Sequence, residues 1–439
     1  MLGYYVKVAL HNAARNKALT GLMMLAIAVG IGASMTTLTV MHLLSGDPLP
    51  GRSGDIYYPQ VDVNPESKGR EPYDVMDYRT AHDLWSARQA DSQTMVVSNP
   101  VKVRSEMPGA APRMIASIST TADFFTMFDV PLQYGRSWGA EDDARRSRVA
   151  VISDRLNQQL FGGRNSVGQR IRVKDTNLQI IGVLGAWRPS PLFYKIRGGR
   201  FSGGETSGFY GAADDVFLPL SASLEINEGD FQPFTCWATP ERPGVLQGSP
   251  CVAVALWVKL VGPERVQAYD RFLRNYAAEQ KRLGRITHDD NTRLRSLMGW
   301  LDFNQVVPSD VKAQTALAFA FLLVCLANVV GLLLAKFMRH GGEIGLRRAL
   351  GASRGAVFTQ CLVEAGVIGV IGGVLGLFLT LLGLWTIRAQ AVAYADLVHL
   401  DAAMFLATLV VSLAASLLAG AIPAYRASSI QPVAQLKLL

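Results

Sequence analysis

Charged residues are scarce in this chain of 439 residues, and four long stretches lack them altogether. Asp, Glu, Lys and Arg make up 18% of the sequence, against 49% hydrophobic residues, which is more apolar than an ordinary soluble protein. Residues 19–44 contain none of the four charged types, and three more such runs lie between residues 313 and 425. Because about 20 helical residues cross the hydrocarbon core of a bilayer, each run predicts a membrane-spanning helix.

The sequence also lacks the residue patterns of common catalytic and metal-binding sites. It contains no HExxH or GxSxG motif, and the six histidines are dispersed without cysteine pairs at zinc-site spacing. Residues 163–170 resemble a phosphate-binding loop, but Gln169 replaces the required lysine and Arg170 replaces the magnesium-binding hydroxyl. We therefore expect a non-catalytic chain that binds no metal and no cofactor of its own.

Ionisable residues are nearly absent from the spans, which argues against a proton-coupled transporter or a membrane protease. Glu364 is the main exception. It lies close to one end of the third apolar run, and we interpret it as an interfacial carboxylate that reaches water or pairs with Arg354 or Arg388.

Cysteine is rare, with four residues in the chain. Cys325 and Cys361 fall in or beside spans, where a small apolar side chain explains them. Cys236 and Cys251 fall in the polar segment between the first and second spans. We predict that these two form a disulfide in an oxidising compartment, with two free thiols as the alternative.

The net charge of +8 arises from cations next to the spans rather than from a nucleic-acid-binding surface. Three cations and no acid precede the first span, and five cations stand against the single acid Glu343 between the second and third spans: Lys336, Arg339, Arg347, Arg348 and Arg354. By the positive-inside rule, both termini and the loop near 340–355 are cytoplasmic, and residues 45–312 are external. We expect a multi-pass protein of the bacterial inner membrane with a periplasmic domain and no nucleic-acid partner.

The predicted architecture is a membrane α-helical protein with four spans in a 1+3 arrangement and a large α+β domain inserted after the first span. The predicted segments are a cytoplasmic amphipathic helix (1–18), spans at 19–44, 313–336, 362–387 and 402–424, an external domain (45–312), a cytoplasmic loop (337–361), an external loop (388–401) and a cytoplasmic tail (425–439).

Within the external domain, alternating strand patterns and helical patterns follow one another. We expect an α/β subdomain formed by about 50–130 and 250–300, with a mainly β subdomain of about 131–245 inserted into it. Residues 188–205 are rich in Gly, Pro and Arg, which predicts a long mobile loop.

Small residues recur at spacings of four in the last two spans: Gly369 with Gly373, Gly372 with Gly376, and Ser416 with Gly420. Such spacings allow close approach of helices in lipid. They favour a packed bundle, either within one chain or between chains.

The loop between the second and third spans predicts a short rigid helix at the membrane face. Glu343 precedes Arg347 by four residues, the favourable order for an ion pair on one helical face. Gly351 suits a helix C-terminus, and Ser353 suits the N-cap of the following helix. The segment is either a docking element for a cytoplasmic partner or a loop that only obeys the positive-inside rule.

These residues resemble a known family. The run from Glu343 to Ser353 is similar to the EIG-R-ALGAS loop of the MacB/FtsX-like permeases of ABC transporters, with Gly342 departing from the usual polar residue. Pro423-Ala424-Tyr425-Arg426-Ala427 with Gln431-Pro432-Val433 resembles their C-terminal pattern, with departures at Ala434 and Gln435. In the external domain, the resemblance rests on Asp123-Phe124-Phe125, Gly135-Arg136, Val149-Ala150-Val151-Ile152-Ser153, Leu160-Phe161-Gly162-Gly163 and Val167-Gly168-Gln169-Arg170-Ile171.

The resemblance implies a MacB-type exporter subunit that works by mechanotransmission. Two permease chains pair, and two separate ABC ATPase subunits, which bind ATP and magnesium, contact their cytoplasmic loops. Carried onto this chain, that contact falls on Glu343, Ile344, Arg347, Arg348, Gly351, Ala352 and Ser353. The sequence shows no fused nucleotide-binding domain, so the ATPase is expected to be another chain. A periplasmic adaptor and an outer-membrane channel are expected partners, with a peptide, antibiotic or similar molecule as the substrate.

Two other functions remain open from the sequence. A lipoprotein-releasing permease of the LolC/LolE kind shares the four-span plan. A regulator resembling FtsX transmits ATP hydrolysis to a cell-wall hydrolase, although its external domain is usually much smaller than 45–312.

Overall fold

The computed structural model describes residues 2–15, 17–67, 69, 71–105, 112–400 and 402–429. The chain divides into two compact units, one formed by residues 1–45 with 307–439 and the other by residues 46–306. We call them the helical unit and the inserted domain. The C-terminal part of the family resemblance, residues 431–435, lies outside the described residues.

The helices are α1 (Leu2–Arg15), α2 (Lys17–Leu44), α3 (Tyr78–Ser86), α4 (Phe124–Met127), α5 (Ala140–Ala144), α6 (Asp154–Phe161), α7 (Leu220–Ile226), α8 (Pro263–Arg282), α9 (Leu297–Phe303), α10 (Ser309–Arg339), α11 (Gly341–Ala349), α12 (Arg354–Arg388) and α13 (Ala402–Ser428). The strands are β1 (Ile56–Val61), β2 (Ser92–Ser98), β3 (Val101–Ser105), β4 (Arg113–Ile115), β5 (Ser117–Thr120), β6 (Leu132–Gly135), β7 (Val149–Ile152), β8 (Arg170–Val173), β9 (Thr176–Leu184), β10 (Val216–Pro219), β11 (Thr235–Cys236), β12 (Cys251–Val252), β13 (Ala255–Lys259) and β14 (Thr292–Ser296).

Four helices of the described residues are long and apolar enough to cross a membrane, namely α2, α10, α12 and α13. A continuous helix satisfies its own backbone hydrogen bonds, as hydrocarbon demands. Their shared core includes Met23, Ile27, Ile31, Val329 and Ile368. The predicted four-span architecture with a large inserted α/β domain is confirmed.

Small residues bring α12 close to both α13 and α2 within this one chain. A Cβ added at Gly369 would lie 1.9 Å from Ser416 Oγ, and one at Gly373 would lie 2.2 Å from Ser412 Oγ. Another at Gly372 would lie 2.9 Å from an Ile27 methyl group. The small residues noted in the sequence therefore serve packing within the chain.

The inserted domain is built on one sheet of the described residues, with strand order β14-β1-β13-β2-β5-β10-β7-β9-β8-β3-β4 and with β6 also paired to β9. The pairs β5/β10 and β7/β9 are parallel. Buried aromatic rings fill the core beside the first half of the sheet, where the Tyr58 ring lies 4.1 Å from that of Trp300 and 4.7 Å from that of Trp257, centre to centre. A second core of aliphatic side chains, among them Ile152 and Ile171, lies beside the other half.

The β3–β4 hairpin packs with the other subdomain than the one to which the sequence analysis assigned it. Its chain segment lies within 50–130, yet β3 pairs with β8, and Val101 and Val103 are buried in the second core. Alternating burial identifies the inward side chains of a strand but not the core that they enter, so the division follows strand pairing rather than chain intervals.

The prediction of a mobile loop over 188–205 is wrong. This segment forms short 3₁₀ turns at Phe193–Lys195 and Gly199–Phe201, and Leu192, Phe193, Tyr194 and Ile196 are buried in the first core. The Arg200 guanidinium pairs with the buried carboxylate of Asp74. The apolar residues of segment 188–205, which alternate with Gly, Pro and Arg in the sequence, pack this segment against the rest of the domain.

Cys236 and Cys251 stand opposite each other on the two-stranded ladder of β11 and β12, and a disulfide joins them.

The contact between α12 and α13 yields a stability prediction. We expect Gly369→Val to lower the free energy of unfolding of the detergent-solubilised chain by about 1–3 kcal/mol, because its side chain overlaps Ser416. Gly331→Val, where a Cβ meets nothing within 4 Å, is the matched control. Equal losses of thermal stability in the two variants would contradict the close packing.

Candidate functional site

Helix α11 links α10 to α12 and presents two different faces. Glu343, Leu346, Arg347 and Leu350 are exposed and follow the spacing of one helical face. Leu346 is 58% exposed, and Leu350, the C-cap residue of α11, is 80% exposed. We call these four residues the outer face.

The opposite face holds α11 against the rest of the helical unit. Gly341 and Gly345 are buried, Ile344 packs against the apolar core of that unit, and Arg348 Nη1 donates a hydrogen bond to the Ser428 carbonyl of α13 at 3.3 Å. Small residues on this side allow the helix to lie close to its neighbours.

The C-terminus of α11 is closed by backbone hydrogen bonds that suit a left-handed residue. Gly351 has a φ of +103°, and its N–H donates to the Arg348 carbonyl at 3.1 Å. The Ala352 N–H donates to the Arg347 carbonyl at 3.0 Å. This is the Schellman arrangement, in which glycine avoids the steric cost of positive φ. Gly351 was predicted as this stop, and the prediction is confirmed.

The turn then leads directly into α12. The Ser353 Oγ accepts a hydrogen bond from the Ala356 N–H at 3.1 Å, so Ser353 is the N-cap, as the sequence predicted. Arg347 reaches across this turn, and its Nη1 donates to Gln360 Oε1 of α12 at 2.8 Å. The outer face is therefore joined to α12 through Arg347.

A buried ion pair connects α10 to α12, next to α11. Lys336 Nζ lies 2.6 Å from Glu364 Oε1, and the two side chains are 1% and 8% exposed. Asn12 Nδ2 of α1 donates to the other Glu364 oxygen at 3.5 Å. The partners expected from the sequence, Arg354 or Arg388, are thus replaced by Lys336.

The structure places four of the seven sequence-predicted contact residues on α11 and three in the turn that follows it, and the seven do not share one surface. Glu343, Arg347, Gly351 and Ser353 are exposed, whereas Ile344, Arg348 and Ala352 are partly buried. Leu346 and Leu350 were missed, although their spacing from Glu343 marks the same helical face. In the sequence analysis, Lys336 served only as one of the cations that indicate membrane topology. No sequence pattern connects it with Glu364.

Two protein families match the chain. The MacB-like periplasmic core domain covers residues 20–271, and the FtsX-like permease C-terminal domain covers residues 315–432, including α11 and the buried ion pair. The chain belongs to the MacB/FtsX-like permeases of ABC transporters. The resemblance to this family that the sequence analysis identified is confirmed.

Curated relatives of this permease are named as ATP-binding/permease proteins. The pyoverdine export ATP-binding/permease protein PvdT of Pseudomonas aeruginosa is 25% identical over 328 residues, which are 72% of this chain and 41% of the relative. The macrolide export ATP-binding/permease protein MacB 1/2 of Paracoccus denitrificans is 25% identical over 98% of this chain and 58% of its own length. The chain thus spans roughly half the length of these relatives.

Two solved structures align weakly with part of this chain. The periplasmic region of MacB from Actinobacillus actinomycetemcomitans aligns with a TM-score of 0.36 at 12% identity, covering 57% of this chain and 94% of that one. The extracellular domain of the transporter YknZ from Gram-positive bacteria aligns with a TM-score of 0.34 at 11% identity, covering 54% and 97%.

The inserted domain of this permease contains a cleft of about 420 Å³. Tyr78, Trp85 and Leu224 supply apolar lining, and Asp143 supplies a carboxylate. Its Oδ2 accepts a hydrogen bond from the Ala122 N–H at 2.8 Å. Burial, together with the nearby negative charges of Asp123 and Asp142, raises the pKa of Asp143 to about 6. The carboxyl group therefore changes charge in a range where carboxylates are usually ionised.

Breaking the ion pair between α10 and α12 should be costly, because each single change leaves a buried unpaired charge. We expect Lys336→Met and Glu364→Leu each to destabilise the detergent-solubilised permease by about 3–5 kcal/mol. The double variant should lose less than either single variant. Thermal unfolding of all four proteins completes the cycle, and additive losses would show that the two groups do not interact.

Asp143 should make stability depend on pH. Its native pKa of about 6 exceeds the unfolded value of about 3.9, so the native state binds more protons between these values. Protonation of Asp143 therefore stabilises the native state fully below pH about 4. This stabilisation, up to about 3 kcal/mol, is lost as the pH rises through about 6.

We therefore expect the stability of Asp143→Asn relative to wild type to increase from pH 4.5 to 7.5, measured as the difference in melting temperature. Glu241→Gln, at an exposed position, is the control. A difference that stays constant across this range would rule out the shifted carboxyl group.

Proposed function

We propose that this chain is the transmembrane subunit of a MacB-type exporter, driven by a separate ABC ATPase that binds the outer face of α11. The observation that carries the proposal is the exposure of Leu346 and Leu350 beside Arg347 on a helix whose other face is anchored. Apolar side chains next to an arginine are typical of protein interfaces. A rigid element loses little entropy when a partner binds it.

Force applied to the outer face reaches the spans through short connections. Only His340 separates α11 from α10, and the turn 350–353 joins α11 to α12. The Lys336–Glu364 pair joins these two spans at the same level. A displacement of α11 therefore moves α10 and α12 together rather than bending a loop.

The same movement reaches the inserted domain through the chain itself. Residues 46–306 follow α2 and precede α10, so the domain is held at both of its ends by spans. We propose that nucleotide binding and hydrolysis by the ATPase, which holds the ATP and magnesium, changes the conformation of this domain at the periplasmic side of the bacterial inner membrane.

The complete exporter in this proposal contains two ATPase subunits and a second permease chain, either identical or homologous. A periplasmic adaptor and an outer-membrane channel complete the path for a peptide, antibiotic or similar substrate. Support for an export role comes from the relatives, two of which are named for pyoverdine and macrolide export.

The outer face is tested by the variant that carries both Arg347→Glu and Leu350→Asp. We expect it to reduce the ATPase recovered with the tagged permease at least tenfold, because it reverses one charge and removes an apolar contact. Mass spectrometry of the copurified proteins identifies and quantifies the ATPase. Membrane fractionation should show normal insertion.

The matched control is Leu283→Asp, which changes an exposed leucine of the inserted domain. It should leave ATPase recovery unchanged. Undiminished recovery with the α11 variant would refute the assigned contact, and the absence of any ABC ATPase from the wild-type preparation would refute the proposal as a whole.

A further inference from the structure

Strands β3 and β8 of the inserted domain carry a cationic surface that the proposed export function does not use. Alternation along both strands buries Val103, Ile171 and Val173 in the second core. The residues that alternate with these buried ones along each strand point to the other side of the sheet. They are Lys102, Arg104, Arg170 and Arg172, all exposed, with Lys174 directly after β8.

The strand register sets these cations against one another. Arg104 and Arg172 are direct partners in the antiparallel pairing of β3 with β8. The Lys174 N–H donates to the Lys102 carbonyl at 2.8 Å, which places these two lysines opposite each other, beyond the Val103–Val173 pair. Side chains directly opposite on neighbouring strands lie about 4.5–5.5 Å apart at Cβ, and like charges in such positions are destabilising.

Nearby acids offset part of this charge. Arg172 pairs with Asp175 at 3.2 Å, and Lys174 pairs with Asp230. Among the described residues, no acidic side chain forms an ion pair with Lys102, Arg104 or Arg170. The surface therefore keeps a net positive charge and contains one directly opposed pair of arginines.

The surface is also concave. A cavity of about 450 Å³ is lined by the four cations Lys102, Arg104, Arg172 and Lys174 and by the two carboxylates Asp175 and Asp230, so its lining carries a net positive charge. Guanidinium groups bind phosphate and carboxylate oxygens in pairs of parallel hydrogen bonds. Converging cations in a concavity concentrate anions more effectively than cations on a flat surface do.

We propose that this cavity binds a polyanion that carries two or more phosphate or carboxylate groups. One group lies between Arg104 and Arg172, and the next lies between Lys102 and Lys174. The bound anion removes the repulsion between the opposed cations, so binding stabilises the domain. The site is independent of ATPase binding at α11.

The test uses the full-length chain in neutral detergent with tripolyphosphate as the probe. We expect tripolyphosphate to raise the melting temperature of the wild type, and expect a much smaller rise with inorganic phosphate at equal ionic strength. Arg104→Gln should raise the melting temperature without ligand, because it relieves the repulsion, and should weaken tripolyphosphate binding at least tenfold.

The matched control is Arg271→Gln, which removes an exposed cation from α8. It should change neither quantity. Short-chain phosphatidic acid below its micellar concentration distinguishes the source of the anion: a response that depends on Arg104 identifies a lipid headgroup as a ligand, and a response to tripolyphosphate alone identifies a free polyanion.

The proposal is overturned if Arg104→Gln retains wild-type affinity for tripolyphosphate, or if Arg271→Gln weakens binding as strongly as Arg104→Gln does. The second result would mean that the probe responds to net charge rather than to this cavity.

Discussion

Hydrocarbon offers no hydrogen-bond partners, and this constraint governs the helical unit. Backbone groups must be satisfied within each span, so the spans are continuous helices. Ionisable groups must lie near the ends or be paired, and Lys336 with Glu364 meets this requirement by direct contact. Lipid is as apolar as the side chains, so burial alone does not hold the helices together, and close approach at Gly369, Gly372 and Gly373 supplies the packing.

Helix α11, between two of the spans, is held in place by local contacts. It is a helix closed by a Schellman turn, hydrogen-bonded to α12 and α13, and separated from α10 by a single residue. Lys336 of the buried ion pair lies one helical turn before that residue, His340. The proposed ATPase contact depends on this division of α11 into an anchored face and an exposed face with two leucines.

The inserted domain follows a different physical rule. Its two cores are formed by burial of apolar side chains from water, and strand pairing brings together chain segments that are far apart, such as β1 with β13 and β14. Strand pairing also brings exposed side chains next to each other, although the formation of the core does not require these contacts. The opposed arginines of β3 and β8 arise in this way, whereas the raised pKa of Asp143 on α5 arises mainly from burial.

Much of the membrane architecture was determined by the sequence alone. Runs without charge predicted the four spans, and Gly351 and Ser353 predicted the ends of the helices around the turn, because these features depend on local backbone chemistry and on hydropathy. The family was recognisable from the same segment.

Other features were decided only by the tertiary structure. The partner of Glu364, the packing of residues 188–205 and the assignment of the β3–β4 hairpin depend on contacts between residues distant in the chain. No local pattern connects position 336 with 364 or 104 with 172. A sequence read along its length contains the propensities of each segment, whereas charge pairing and core membership are properties of segments brought together by folding.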